Sequence, residues 1–270
     1  FKLKSTEPGD LYNAACSASL AGNVNLAFDW LNQAMANGWL NIKHLNSDTD
    51  LNALHSDARW GKLTAAMQAG ADKREASYDK PLRDRLLTIY EDDQNVRRQF
   101  VEAEKKYGFK SKQVDSLVTI MIRNDGINLK KVTDILDTYG WVGADKVGGQ
   151  ANQTLFLVIQ HADLKTQQKY LPMMREAVKN KNAQSSALAL LEDRVALGEG
   201  RRQIYGSQIG QDEKTQKHYV LPLDDPDHVD QRRAEVGLGP LADYVSNWDI
   251  VWDVAEYKKQ LPEIEAMQKH

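Results

Sequence analysis

The sequence predicts a mainly α-helical protein, with helical hairpins in its N-terminal part followed by a larger helical domain that carries one small β-hairpin. Three observations predict this. Apolar residues recur at three- and four-residue spacing through most of the 270 residues. Glycines punctuate those runs at helix-length intervals, at Gly126, Gly140, Gly143 and the Gly148-Gly149 pair. Strand-like patterning is confined to residues 203–210 and 217–223, two short runs across a polar turn. The length allows one large or two ordinary domains, each able to bury a core. A shift toward Ala, Gly, Lys, Glu and Ser over residues 68–78 separates residues 1–75 from residues 76–260.

In residues 11–38 the small and apolar side chains Leu11, Ala15, Ala18, Gly22, Ala27, Leu31 and Ala34 mark two amphipathic helices, with small residues where they cross and a glycine at the turn. This pattern resembles a tetratricopeptide repeat. A second, degenerate unit follows: Asp48, Asp50-Leu51, Leu54, Asp57, Arg59-Trp60 and Leu63 resemble the terminal repeat that closes such arrays in bacterial extracytoplasmic proteins, with Asp57 capping a last helix. One and a half repeats fall short of the roughly three that make an autonomous solenoid, so the unit is expected to lean on the rest of the chain or on an upstream part. The resemblance implies a protein partner engaged through this unit, and Trp30 and Trp39 are expected to be exposed.

In the second domain, Pro81 suits the first turn of a helix over residues 82–106, whose apolar face carries Leu86, Ile89, Tyr90 and Phe100. Further helices are expected over 114–124, 129–139, 154–161, 167–179 and 185–197. After the hairpin, Leu241, Tyr244, Val245, Trp248, Trp252 and Ala255 predict a last helix over 241–257, its aromatics serving as core rather than as a platform for bases.

Composition narrows the function classes. The net charge is -3, from 35 basic and 38 acidic residues that are interspersed rather than blocked, so no nucleic-acid partner is expected. No apolar run approaches the roughly 18 residues of a membrane span, so no transmembrane segment is expected and any attachment would come from a partner or a lipid anchor upstream. The single cysteine, Cys16, sits in a small-residue helical pattern and reads as core; it permits no intrachain disulfide and no cysteine metal cluster. The start at Phe1 suits a processed N-terminus.

Polar motifs embedded in apolar segments lie between Gln160 and Arg233. They are Gln160-His161-Ala162-Asp163, Leu191-Glu192-Asp193-Arg194, Gln203-Ile204-Tyr205-Gly206-Ser207-Gln208, and Asp224-Asp225-Pro226 running on to Val229-Asp230-Gln231-Arg232-Arg233. Buried polar groups must find partners, so these are expected to converge on one another, on a ligand, or on both. Arg194 falls among Leu190, Leu191, Val195 and Leu197 on a helix face and should meet Asp163, Asp230 or the adjacent Asp193. His161 follows an apolar run and should be at least half buried. With Asp163 it supplies only two metal ligands and would need Asp193, Asp230 or His228 to complete a site, so no metal and no cofactor are expected. His44, His55, His218 and His270 read as solvated. There is no phosphate loop, dinucleotide fingerprint, nucleophile elbow or zinc-protease helix.

Tyr139-Gly140-Trp141-Val142-Gly143, Val147-Gly148, Gln160-His161-Ala162-Asp163, Leu171-Pro172, Asp193-Arg194, Gln203-X-Tyr205-Gly206-Ser207-Gln208, Asp225-Pro226, Val229-Asp230-X-Arg232-Arg233 and Gly237-Leu238-X-Pro240-Leu241 follow one another in order. Together they resemble an uncharacterised bacterial domain, domain of unknown function 6624, over residues 80–250. Val142 stands where proline is expected and Ser207 where threonine is. The resemblance implies a bacterial extracytoplasmic setting, periplasm or cell surface, and brings no activity with it. Two functions are then expected as alternatives. One is an interaction or accessory subunit of an envelope assembly. The other is a hydrolase or a binder of small anionic ligands, with His161 and Asp163 as catalytic candidates and Arg194, Tyr205, Gln208, Asp230 and Arg233 as ligand contacts.

Overall fold

The computed structural model describes residues 7–212 and 215–268, so Phe1, Glu213 and Lys214 in the polar turn, and His270 lie outside the described residues. The chain divides into two compact units, Phe1–Tyr78 and Asp79–His270.

In the first unit, α1 (Pro8–Leu20) and α2 (Val24–Ala36) form a helical hairpin, followed by α3 (Ile42–Ser47), a 3-10 turn at Thr49–Leu54 and α4 (Ala58–Ala76). Ala15, Ala27 and Ala34 are fully buried, which lets the helices approach closely, and Leu31, Leu45, Leu51, Leu54 and Met67 fill the core. Asp57 caps α4 by accepting from the Arg59 amide at 2.9 Å. Cys16 is buried, and burial pushes its thiol up to about 11, the value of an unreactive core residue. Trp30 and Trp39 are not exposed as expected: both pack partly against this core, and Trp39 stacks on Tyr12 with ring centroids 3.8 Å apart.

The second unit opens with two long helices, α5 (Lys80–Tyr107) and α6 (Lys112–Tyr139), which pack side by side as a hairpin. Asp79 caps α5 through the Leu82 amide at 3.1 Å, with Pro81 in the first turn, and Ser111 caps α6 through the Val114 amide at 3.3 Å. After α7 (Ala144–Val147) comes α8 (Gly149–Gln160), which lies against both long helices, and α9 (Leu164–Lys179) and α10 (Ser185–Gly198) pack on one another and on α8. Leu86, Ile89, Val132, Ile135, Leu155, Ile159, Met174 and Leu191 form the shared core. That core ends near Asp93. Beyond it, Val96, Ala103 and Val114 are buried within the hairpin, while Val101, Phe109 and Ile122 are 61%, 63% and 68% exposed. Strands β1 (Ile209–Gln211) and β2 (His218–Val220) then pair antiparallel, Ile209 opposite Val220. They lead to α11 (Val229–Glu235), α12 (Leu241–Val245) and α13 (Val254–Met267) around a smaller core of Val220, Leu223, Val229, Leu241, Val245 and Tyr257. No helix among the described residues is long and apolar enough to cross a membrane.

Three elements depart from the sequence expectation. The helices expected over 114–124 and 129–139 are one helix, α6, which runs through Gly126. A lone glycine costs a helix only about 1 kcal/mol, and packing of Val132, Ile135 and Leu136 outweighs that. The helix expected over 241–257 breaks instead. Asn247 donates its side-chain amide to the Tyr244 carbonyl, Asp249 turns left-handed at φ 58°, and Asp253 caps a new helix through Glu256 at 2.8 Å. The β-hairpin is shorter than its two expected runs because the Gln203 side chain spans the outer part, donating to the Gln208 carbonyl at 3.0 Å and the Leu221 carbonyl at 2.9 Å.

Candidate functional site

The polar motifs do not converge on one place. They divide between a closed knot and an open cavity.

The knot forms around Asp193 on α10, which is fully buried. The chain after α10 wraps its carboxylate in backbone amides: Ile204 donates at 2.6 Å, Tyr205 at 2.9 Å and Ser207 at 2.9 Å. Gly206 makes that wrap possible with φ 69°, a backbone conformation that side chains resist. Arg233, 2% exposed, donates to the Gly239 carbonyl at 2.6 Å and the Tyr205 carbonyl at 2.7 Å, and its guanidinium lies 5.0 Å from the centre of the Tyr244 ring. Asp230 accepts from the Leu241 amide at 2.7 Å, and Gln208 donates its side chain to Ser207 Oγ at 3.0 Å and its amide to Gln203 at 2.9 Å. Tyr205 is partly buried, and burial, followed by the charges of Glu192 and Asp193, raises its pKa. Gln208, Asp230 and Arg233 are thus committed to holding loops together.

Arg194 departs from expectation. It meets neither Asp163, Asp230 nor Asp193, because each of those carboxylates is taken by backbone amides. Among the described residues no hydrogen bond or ion pair reaches its guanidinium, Nε is buried without a partner, and burial pushes its pKa down.

His161 and Asp163 lie elsewhere, in the turn between α8 and α9. Asp163 caps α9 by accepting from the Thr166 amide at 2.8 Å, which with the Thr166 side chain lowers its pKa. Buried Gln167 on α9 reaches back to the carbonyls of Gln160 at 3.0 Å and Ala162 at 2.8 Å, fixing the turn that carries His161. The His161 ring meets two residues that the sequence did not single out, Arg97 and Asp93, and Arg97 ties in a third, Asp125. Its Nδ1 lies 2.6 Å from Arg97 Nη2 and 3.4 Å from Asp93 Oδ1. Arg97 Nη2 in turn donates to Asp125 Oδ1 at 2.8 Å and lies 3.5 Å from Asp93 Oδ1. An arginine can only donate, so Nδ1 accepts and the ring proton belongs on Nε2, for which no partner is found among the described residues.

Asp93 is the unusual member. Its side chain is 1% exposed, and Gln94 donates to its Oδ2 at 2.7 Å while Oδ1 has no hydrogen bond. A cavity of about 150 Å³ opens beside it, lined by Asp93, Asp125, Gly126, Leu129, Val158, His161, Ala162 and Asp163. On α6 one turn past Asp125, Asn128 is also buried, and neither atom of its carboxamide is hydrogen-bonded.

Asp93, Asp125 and His161 each offer a ligand atom, all within 4.8 Å of one another. Cys16, Asp48 and Asp50 in the first unit form a second such group, but there the Tyr12 hydroxyl donates to Asp48 Oδ2 at 2.5 Å and the Asp50 amide to Oδ1 at 3.0 Å, so Asp48 is already satisfied.

No curated protein and no solved structure matches the chain. The sequence model of a family of unknown function (DUF6624) matches residues 80–255, a span that holds α5 to α12, the knot and the cavity together. With more than half of its length inside that match, the chain belongs to the DUF6624 family.

Proposed function

We propose that the second unit is a ligand-binding or hydrolytic domain that works at the cavity beside His161. The observation that carries this reading is Asp93 Oδ1, a carboxylate oxygen buried without a hydrogen bond at the wall of a cavity. Such an oxygen costs on the order of 1–3 kcal/mol, a cost that a bound ligand would relieve. His161 and Asp163 line the same cavity, whereas Tyr205, Gln208, Asp230 and Arg233 belong to the knot and do not line it. In a thermal-shift screen, small polar molecules should raise the Tm of the wild type but not of His161→Ala, whose own stability stays within about 1 kcal/mol of wild type. A loss of several kcal/mol in His161→Ala with no stabilising molecule found would overturn this reading in favour of a structural one.

A second reading is an accessory subunit of a bacterial envelope or cell-surface assembly that binds a protein through its tetratricopeptide-like unit. The helical-hairpin form of α1 and α2 favours it, as does the 68% exposure of Leu20. The extracytoplasmic setting and an upstream lipid anchor rest on the family resemblance. Affinity purification from native membranes should recover a stoichiometric partner, and a protein that purifies alone would count against it.

A further inference from the structure

The charges around the cavity specify what kind of ligand it suits. Asp93, Asp125 and Asp163 all line it, so it attracts cations rather than the anions suggested by the arginine-bearing motifs. Within it, three donor atoms of metal-binding type face a common point: Asp93 Oδ1, an Asp125 oxygen and His161 Nδ1. That point is held by a positively charged nitrogen, Arg97 Nη2, at 2.6 Å from the imidazole, 2.8 Å from Asp125 and 3.5 Å from Asp93. The fit is incomplete on both sides. Asp93 Oδ1 is left beyond hydrogen-bonding geometry, and Arg97 Nη1 is buried with no partner.

We propose that Asp93, Asp125 and His161 bind one divalent first-row transition metal, and that Arg97 is an internal cation which occupies the site until the metal displaces it. The proposal rests on the reading of this cavity as the working site. Two carboxylates and an imidazole suit manganese, iron, cobalt or zinc better than the all-oxygen preferences of calcium and magnesium, and no thiolate is present to favour softer ions. The charge balance agrees: two carboxylates facing one guanidinium leave a charge of -1, which a divalent ion at the same point removes. The surrounding groups are already those of a supported metal site. Gln94 holds the other Asp93 oxygen at 2.7 Å, turning Oδ1 toward the focus, and Gln167 fixes the turn that carries the ring. The imidazole lone pair that accepts from Arg97 is the one a metal would take. Arg97 is 18% exposed, so its side chain already reaches solvent in part, and once displaced its charge would face an anionic group on a metal-bound ligand.

The test is a calorimetric titration of chelator-treated full-length chain with Zn²⁺, paired with the visible spectrum of the Co²⁺ form. One equivalent should bind, with Co²⁺ bands of a low-symmetry nitrogen and oxygen site. Asp93→Asn and Asp125→Asn should each weaken binding at least about tenfold. Arg97→Met should strengthen it on the order of tenfold, as when a competing state held roughly nine-tenths of the population. Circular dichroism confirms that each variant is folded, and the wild-type titration stands by itself where one is not. Failure of both wild type and Arg97→Met to bind metal overturns the proposal, as does binding that Asp93→Asn and Asp125→Asn leave unchanged. If metal fails while His161-dependent small molecules still raise Tm, the metal proposal falls alone; if both fail, the cavity is not the working site.

Discussion

Asp93 and Asp193 are both buried aspartates with an arginine close by, yet the chain treats them in opposite ways. Around Asp193, three backbone amides fill the carboxylate, and the nearby Arg233 spends its donors on carbonyls. Around Asp93, only one oxygen is filled, by Gln94, and the other faces two side chains at more than 3.3 Å and a cavity. The physical lesson is that burial alone does not mark a working site. What distinguishes the two is whether the hydrogen-bonding capacity is closed by backbone, which cannot leave, or left to side chains, which can.

The comparison can be broken by substitution, and the largest expected effect is on the knot. Asp193→Ala should cost about 3–5 kcal/mol in urea unfolding, because it strands three backbone amides, that of Ser207 fully buried, and removes the negative charge near Arg233. A loss under about 1 kcal/mol would mean that the knot is not structural.

Next comes pH. Tyr257 accepts from the Leu223 amide at 2.7 Å and donates to the Leu221 carbonyl at 3.0 Å, and burial pushes its pKa up to about 12. Its protonated form is therefore favoured in the folded state. The stability this adds is complete below the unfolded value of about 10 and is lost as pH rises through 12, an effect of roughly 2–3 kcal/mol. Tyr257→Phe should flatten that part of the profile in unfolding measured at pH 9 to 12.

Gly206→Ala comes third, at roughly 1–3 kcal/mol, since φ is 69° and the new methyl would lie 3.0 Å from Leu241. The smallest effect sharpens the other side: His161→Ala should shift stability by less than about 1 kcal/mol, as expected for a side chain not built into a closed network.

Much of the fold could be read from the sequence because apolar spacing and caps report local structure. Pro81, Asp57 and the small residues of α1 and α2 are such signals. Gly126 misled because a glycine signals a break only where packing is weak, and α6 is held by its neighbours on both sides of it. The 241–257 pattern misled because Asn247 and Asp249 compete for the backbone locally, which periodicity does not register.

The site was half visible. His161 and Asp163 announced themselves by interrupting an apolar run, but Asp93, Arg97 and Asp125 sit on helices so rich in charge that three more charged residues carry no contrast. A finer signal existed: Leu82, Leu86, Ile89, Asp93 and Val96 follow one buried stripe, and Asp93 is the carboxylate on it. The knot residues were visible as polar groups in apolar settings, but no pattern in them told backbone-filled acceptors from open ones, since that depends on where a distant turn folds back.

The unbroken length of α6 has a mechanical meaning. Asp93 and Asp125 face each other at the fulcrum of the hairpin, where the shared core stops and two bare rods continue for roughly 20 Å at 1.5 Å per residue. The two helices pack along their length, with Val101 and Phe109 exposed toward the free end and Ile122 exposed one turn from Asp125, so a partner that covers this apolar surface would bear on the same two rods that hold the carboxylates.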